Sequence, residues 1–481
     1  MKRLLFLAAL VLLPLCALAQ PYTADWASLD TRPTPSWWTE ARFGIFIHWG
    51  VYAVPAFSKV GEYSEWYWNA LTNGKPDYVA FHERVFGKNF AYQDFAPLFK
   101  AELFDPAQWA DVFRRSGAKY IVLTSKHHDG FALWPSAEAN TSWGRPWNSV
   151  DAGPGRDLLG DLTDAVRQAG LEMGLYFSLY EWYNPLYRAD PTLYVEKHYL
   201  PQFKDVVTRY KPAVIFADGE WDHEDKLWKS EEVVAWLYNE SPVKDRVIVN
   251  DRWGKGARHQ HGGYYTTEYG SGMPDASHPW EENRGMAYSY GYSRTESRDD
   301  YNTAQQLILM LVDIVSRGGN FLLDIGPTAD GRIPVIMQER LLQMGTWLDV
   351  NGEAIYGTRT WKTPTQWSDG EVVDAERGEY MVRYDILALT VSPPPGRAVK
   401  QVFFTRKNDT LYAITPRWPK GGLVLKDVQP TSRTVVHLLG RAEPLTWRRE
   451  GNSLVIDVPA LSPDEVPSQH AHTFRITHVA E

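Results

Sequence analysis

Ala213-Val214-Ile215-Phe216-Ala217-Asp218-Gly219 is a run of five apolar residues closed by a carboxylate and a glycine. A short run rich in branched and aromatic side chains reads as a strand buried on both faces, as parallel strands are. A carboxylate at its C-terminal tip suits the mouth of a barrel, where several strand ends each lend one side chain to a common site. An isolated Asp in that place serves equally well as a helix cap or a loop residue, so the rest of the chain has to decide.

The rest of the chain repeats the pattern. Residues 44–48, 120–125, 172–178, 247–250 and 320–325 are runs of the same kind, and helix-period segments lie at 106–116, 158–169, 194–210, 231–239 and 303–316. In the second of these helices Asp157 is placed to cap, Leu158, Leu159, Leu162 and Val166 share a face, and Gly170 stops it. Alternating strands and helices predict a parallel sheet covered by helices. His48, His127, His128, Asp218, Asp251 and Arg252 all fall at or just past strand ends, and no glycine-rich phosphate loop follows the first strand. The expectation is an α/β fold, a (β/α)8 TIM-like barrel over residues 20–357.

After Asn351-Gly352 helical periodicity stops. Short alternating segments at 399–405, 410–414, 422–425 and 454–458, separated by turns such as Asn408-Asp409 and Gly451-Asn452, predict an antiparallel β-sandwich of seven or eight strands over 358–481. Residues 359–396 give the weakest signal.

Residues 1–19 have the form of a cleaved leader. Lys2 and Arg3 precede an apolar stretch at 4–15, and Ala17-Leu18-Ala19 supplies small residues for cleavage. The stretch is too short to span a bilayer, so no membrane span is expected. Leu13-Pro14-Leu15 lacks the small residues that precede a lipidated cysteine, which argues against an anchor on Cys16. Cys16 is the one cysteine, so a mature exported chain has no disulfides and depends on a large core. Removing the leader also makes the formal net charge of −9 two units more negative. An acidic surface excludes nucleic acid as the partner. The chain is therefore expected to be periplasmic or secreted; its composition is compatible with a homo-oligomer and does not fix an oligomeric state.

Aromatic residues make up 14% of the chain, which suits either a sugar-binding cleft or a large aromatic core. The motifs favour the cleft. Lys126-His127-His128-Asp129-Gly130-Phe131 sets two imidazoles at a strand end; a regular strand would turn only one inward, a loosened end both. No further ligands stand at metal-site spacing, so no metal or cofactor is expected, and imidazoles bonding sugar hydroxyls account for the pair. Ser64-Glu65-Trp66-Tyr67-Trp68 places an acceptor beside an aromatic plate. Asn250-Asp251-Arg252-Trp253-Gly254 offers a planar cation, and Thr266-Thr267-Glu268-Tyr269-Gly270 a second carboxylate. Glu281 competes with Glu268, and spacing does not choose between them. Glu220 and Asp222 compete with Asp218 but lie beyond Gly219, where a solvated loop is expected.

Taken together, Phe46-Ile47-His48-Trp49-Gly50, Ser64-Glu65-Trp66-Tyr67, the 126–131 segment, Gly155-Arg156-Asp157, Gly174-Leu175-Tyr176-Phe177-Ser178, the 250–254 segment and Gly326-Pro327-Thr328-Ala329-Asp330-Gly331 resemble, in order, glycoside hydrolase family 29, the retaining α-L-fucosidases. Ser178-Leu179-Tyr180-Glu181-Trp182-Tyr183-Asn184-Pro185 looks like the broad-specificity subgroup of the animal lysosomal enzymes. The resemblance implies exo-hydrolysis of terminal α-L-fucose from fucosylated oligosaccharides or glycoconjugates through a covalent glycosyl-Asp intermediate. By position it implies Asp218 as nucleophile, Glu268 as acid/base, and a fucose-binding set of His48, Glu65, Trp66, His127, His128, Tyr176 and Arg252. Phe216 stands where many relatives carry Trp, keeping an aromatic wall without its N–H donor, and Asp324, where Asn is commoner, is read as structural. The rival readings are another barrel glycosidase, α-galactosidase-like or inverting, and an inactive fucose-binding protein. The pair of carboxylates argues against the last.

Overall fold

The computed structural model describes residues 21–274 and 276–480; the leader reading of residues 1–19 lies outside them. Eight parallel strands form one sheet: β1 (Phe43–Ile47), β2 (Tyr120–Lys126), β3 (Glu172–Ser178), β4 (Val214–Asp218), β5 (Ile248–Val249), β6 (Tyr265–Glu268), β7 (Trp280–Gly285) and β8 (Asn320–Ile325). Their order is β5-β4-β3-β2-β1-β8-β7-β6, so the ladder runs almost right round the barrel. The seam between β5 and β6 is closed mainly by a side chain. Asp251 accepts from the Thr266 N–H at 3.2 Å and from its hydroxyl at 2.7 Å, while Gly263 N–H reaches Val249 O.

Strands β1 to β5 and β8 stand where apolar runs predict them. β6 and β7 do not arise from such runs, because polar and charged side chains are buried on both faces of this part of the sheet. Glu282 accepts from Gly270 N–H and from Arg284 at 2.8 Å, and the Tyr120 hydroxyl donates to Glu281. Buried polar groups survive where they are bonded, and a hydropathy pattern does not register such pairs.

The helices hold close to expectation. Asp157 caps Leu158–Gln168 by accepting from Gly160 N–H at 2.8 Å, and Thr303 caps Ala304–Ser316. The helical stretch expected at 194–210 begins at Pro191 and contains a π turn at Val195–Tyr199. Val335–Asn351 is a further helix on the barrel.

Beyond the barrel, nine strands are found among the described residues, rather than seven or eight. β9 (Arg359–Trp367), β10 (Lys400–Lys407), β11 (Thr410–Thr415), β13 (Pro430–Leu438), β14 (Pro444–Leu445) and β17 (His472–Val479) make a six-stranded antiparallel sheet. β12 (Leu423–Leu425), β15 (Trp447–Glu450) and β16 (Ser453–Ile456) make a three-stranded one. Phe404, Leu411, Val436 and Phe474 of the first sheet and Leu423, Leu425, Leu454 and Ile456 of the second share one core, the signature of a sandwich. A buried charge cluster ties it to the barrel. Asp313, on the helix Ala304–Ser316, meets Arg317 at 2.8 Å and Lys400 of β10 at 2.6 Å. Between β9 and β10 the chain follows the 368–385 segment and the short helix Ile386–Thr390.

Candidate active site

The register of the barrel brings the site together. Ser178 pairs with Asp218 and Tyr176 with Phe216 across β3 and β4, so Tyr176, Phe216 and Asp218 all face inward. Above Phe46, Tyr176 and Phe216 opens a cavity of about 230 Å³, lined by His48, Glu65, Trp66, His127, His128, Tyr176, Phe216, Asp218, Arg252 and Glu268. Phe46, Tyr63, Trp221, Arg258, Asn283, Tyr290 and Tyr380 complete the wall. These seven were not anticipated. Their strands and loops are scattered through the chain, and no spacing connects them.

Asp218 is 7% exposed. Arg252 Nη1 donates to its Oδ1 at 2.8 Å and the Tyr176 hydroxyl to its Oδ2 at 2.8 Å. Burial alone would raise its pKa, but Arg252, with help from Arg258, outweighs that and holds the carboxyl at about 2. Gly219 is required after it. Its φ is +73°, and a Cβ there would stand 2.3 Å from the Tyr180 ring.

Glu268 ends β6, and Arg252 Nη2 donates to its Oε2 at 3.0 Å. The Tyr63 hydroxyl donates to its other oxygen at 3.3 Å. Arg252 is itself positioned: Nε donates to Thr266 Oγ at 3.0 Å, and the guanidinium lies 5.0 Å above the Phe216 ring. Glu281 sits elsewhere. It is the second residue of β7, at the opposite end of the barrel, bonded by Tyr120 at the start of β2, and it does not line the cavity. Glu220, expected in a solvated loop, is 2% exposed, because Arg258 folds over it at 2.6 Å.

Both histidines of the 126–131 segment line the cavity. Ser178 Oγ donates to Tyr180 O at 2.6 Å, so its lone pair receives the His128 Nδ1 proton at 2.7 Å. That leaves His128 Nε2, 3.4 Å from the Tyr176 hydroxyl and 3.5 Å from Asp218, as an acceptor for a donor entering the cavity. Burial keeps this imidazole neutral, with a pKa lowered to about 4 against the pull of Asp218. His127 stacks on Tyr176 at 5.4 Å, and its buried Nδ1 has no protein partner. Behind them Glu181 accepts from Lys126 at 2.8 Å, Trp143 at 2.8 Å and His198 at 2.6 Å, bracing the loop.

Asp324, read from sequence as structural, is in contact with a cavity residue: its Oδ1 lies 2.6 Å from His48 Nδ1. Burial holds His48 neutral at about 3. Glu65 accepts from Gly291 N–H at 2.8 Å, and burial pushes its carboxyl up to about 8. Trp66 is half-buried and roughly parallel to Trp221, 6.3 Å away, leaving aromatic surface at the cavity wall. The whole is a small pocket rich in hydrogen-bond partners and aromatic faces, with two acids on one cation. It is suited to hold a single sugar ring and break one bond at its edge. Among the described residues no set of three or more His, Cys, Asp or Glu side chains is arranged to hold a metal ion.

Comparison with known proteins agrees in kind. The family profile described as Alpha-L-fucosidase matches residues 13–353, and that of the Alpha-L-fucosidase C-terminal domain matches residues 397–477. The chain is 42% identical to the tissue alpha-L-fucosidase of Homo sapiens over 477 residues, covering 96% of this chain and 93% of that one. It is 41% identical to the alpha-L-fucosidase of Dictyostelium discoideum over the full length of both. The crystal structure of Thermotoga maritima alpha-fucosidase in complex with fucose superposes with a TM-score of 0.76 at 33% identity, over 95% of this chain and 100% of that one.

Proposed function

This chain belongs to the α-L-fucosidase family of glycoside hydrolases, and from that premise we propose that Asp218 is its nucleophile and Glu268 its acid/base. The enzyme hydrolyses α-L-fucosides. In the first step an Asp218 oxygen attacks the anomeric carbon while protonated Glu268 gives its proton to the glycosidic oxygen. The C1–O bond breaks, and the aglycone leaves as an alcohol. A fucosyl ester remains on Asp218. In the second step Glu268, now a carboxylate, takes a proton from water as that water attacks C1 and releases Asp218.

The observation that carries this reading is the Arg252 fork, which holds both acids at the mouth of one cavity. It also suits the alternation of roles. Esterification discharges Asp218 and leaves Glu268 as the carboxylate facing Arg252. His48, Glu65, His127, His128 and Tyr176 supply donors and acceptors for the sugar hydroxyls, and Phe46 and Phe216 an apolar floor for the methyl group that distinguishes fucose from most hexoses. The test is a slow 2-fluoro-fucosyl donor followed by peptide mapping. A fucosyl adduct on Asp218 and first-formed α-fucose by NMR are expected; an adduct elsewhere, or β-fucose, overturns the assignment.

We also propose export to the periplasm or beyond. The basic n-region, apolar stretch and Ala17-Leu18-Ala19 support it. A mature protein from the periplasmic or culture fraction starting at Gln20 is the expected result, and an intact N-terminus in the cytosolic fraction the opposing one.

A further inference from the structure

A second cavity of about 290 Å³ opens beside the first and shares Tyr63, Trp66 and Tyr380 with it. It lies on the Glu268 side, where a departing aglycone must pass. Tyr380 does not come from the barrel. It belongs to the 368–385 segment that follows β9 on the way to β10, two strands of the main sandwich sheet, and it is bound to the free edge of β6. Glu268 N–H donates to Glu379 O at 2.8 Å and Met381 N–H to Glu268 O at 2.9 Å. Arg258 holds the Glu379 side chain at 2.9 Å, and the Tyr288 hydroxyl meets Met381 Sδ at 3.1 Å.

This strap places an aromatic ring, 49% exposed, at the junction of the two cavities. The Tyr380 hydroxyl lies 3.3 Å from that of Tyr63, which in turn donates to Glu268. Tyr63 also stacks in near-parallel fashion with Tyr288 at 5.6 Å and with Tyr269 at 6.0 Å, so its ring is fixed. Beyond the rings the second cavity turns polar, with Glu62 bonded to Lys75 at 3.1 Å and to the Tyr78 hydroxyl at 2.9 Å. Aromatic plates with a polar rim fit a pyranose, apolar on its C–H face and polar at its edge.

We propose that Tyr380 and Tyr63 form a stacking platform for the sugar that carries the fucose, making the post-barrel strap a specificity element for hexose or N-acetylhexosamine aglycones. This rests on the fucosidase reading of the neighbouring cavity. The test compares two substrates that both need leaving-group protonation: methyl α-L-fucoside, and the best-cleaved of a panel of fucosyl hexose and fucosyl N-acetylhexosamine disaccharides. In Tyr380→Ala the ratio of kcat/KM, disaccharide over methyl fucoside, is expected to fall at least about fivefold, the scale of one aromatic contact. Tyr380→Phe, which keeps the ring, should preserve the ratio. An unaltered ratio in the alanine variant overturns the proposal. So does an equal loss in the phenylalanine variant, which would assign the effect to the hydroxyl chain leading to Glu268. A parent enzyme that cleaves neither substrate would instead sink the fucosidase reading itself.

Discussion

Asp218 and Glu268 stand on strands that share no ladder hydrogen bond, yet one guanidinium grips both: Arg252 Nη1 meets Asp218 at 2.8 Å and Nη2 meets Glu268 at 3.0 Å. The fork spans the seam where the barrel ladder is interrupted, and its own Nε is tied to Thr266 on the far side. Spacing between the two acids is thereby set by a rigid planar side chain as well as by backbone.

Arg252→Lys substitutes a compact charge for that fork, able to face one acid but not to clamp two. We expect kcat on an aryl fucoside to fall by about a hundredfold or more, the usual scale for losing one preorganised electrostatic contact. Parent-like turnover in the purified variant would remove Arg252 from the catalytic account.

Under the proposed mechanism, Asp218→Gly leaves the pocket without its nucleophile. Turnover should drop by about ten-thousand-fold, and azide should restore part of it by entering the vacated space and yielding a β-fucosyl azide. An unrescued variant that folds like the parent would count against a direct attack by this residue.

Glu268 and Glu281 separate cleanly by substrate. Glu268→Ala should lose about a hundredfold or more on methyl fucoside, which needs a proton, and much less on an activated aryl fucoside, which does not. Glu281→Gln, at the other end of the barrel, should hydrolyse both at near-parental rates. The reverse pattern would exchange their roles.

Stability should peak on the acid side of neutrality. Against the burial that opposes it, Arg317 and Lys400 hold the Asp313 carboxyl below the ordinary range, so its contribution is complete above the unfolded value and lost as pH falls. Glu281 has the opposite sign. Burial raises it to about 8, so the folded protein keeps a proton that the unfolded chain releases from about pH 4.5 upward, and stability declines between those values. Thermal melts across pH 4 to 9 check this, with Glu281→Gln expected to flatten the alkaline decline.

Asp313→Ala should destabilise by about 3 kcal/mol, because Arg317 is left buried without a counter-charge and Lys400 keeps only the half-exposed Asp374, 2.9 Å away. Urea unfolding of the variant is the measurement; a change within error would show that the cluster does not lock the sandwich to the barrel.

Much of this architecture was legible in the sequence because β1 to β5 and β8 advertise themselves by apolar runs ending in polar residues. β6 and β7 were not, since Thr266, Thr267, Glu281, Glu282 and Arg284 are buried by pairing with one another or with Asp251, Arg252 and Tyr120 rather than by hydrophobicity. The same effect hid Glu220. A carboxylate past a glycine reads as solvated until Arg258, far along the chain, folds over it. Asp218, the three histidines and Arg252 could be picked out because each sits at a strand end. Tyr290 and Tyr380 reach the cavity from loops, and nothing local announces where a loop will come to rest.

The strap on β6 has a consequence for how such enzymes diversify. Because residues 379–381 arrive from the connection between β9 and β10 of the sandwich, a recombination event that exchanged residues 358–481 would, on the stacking-platform proposal, carry part of the substrate preference with it while leaving the proposed reaction chemistry behind in the barrel.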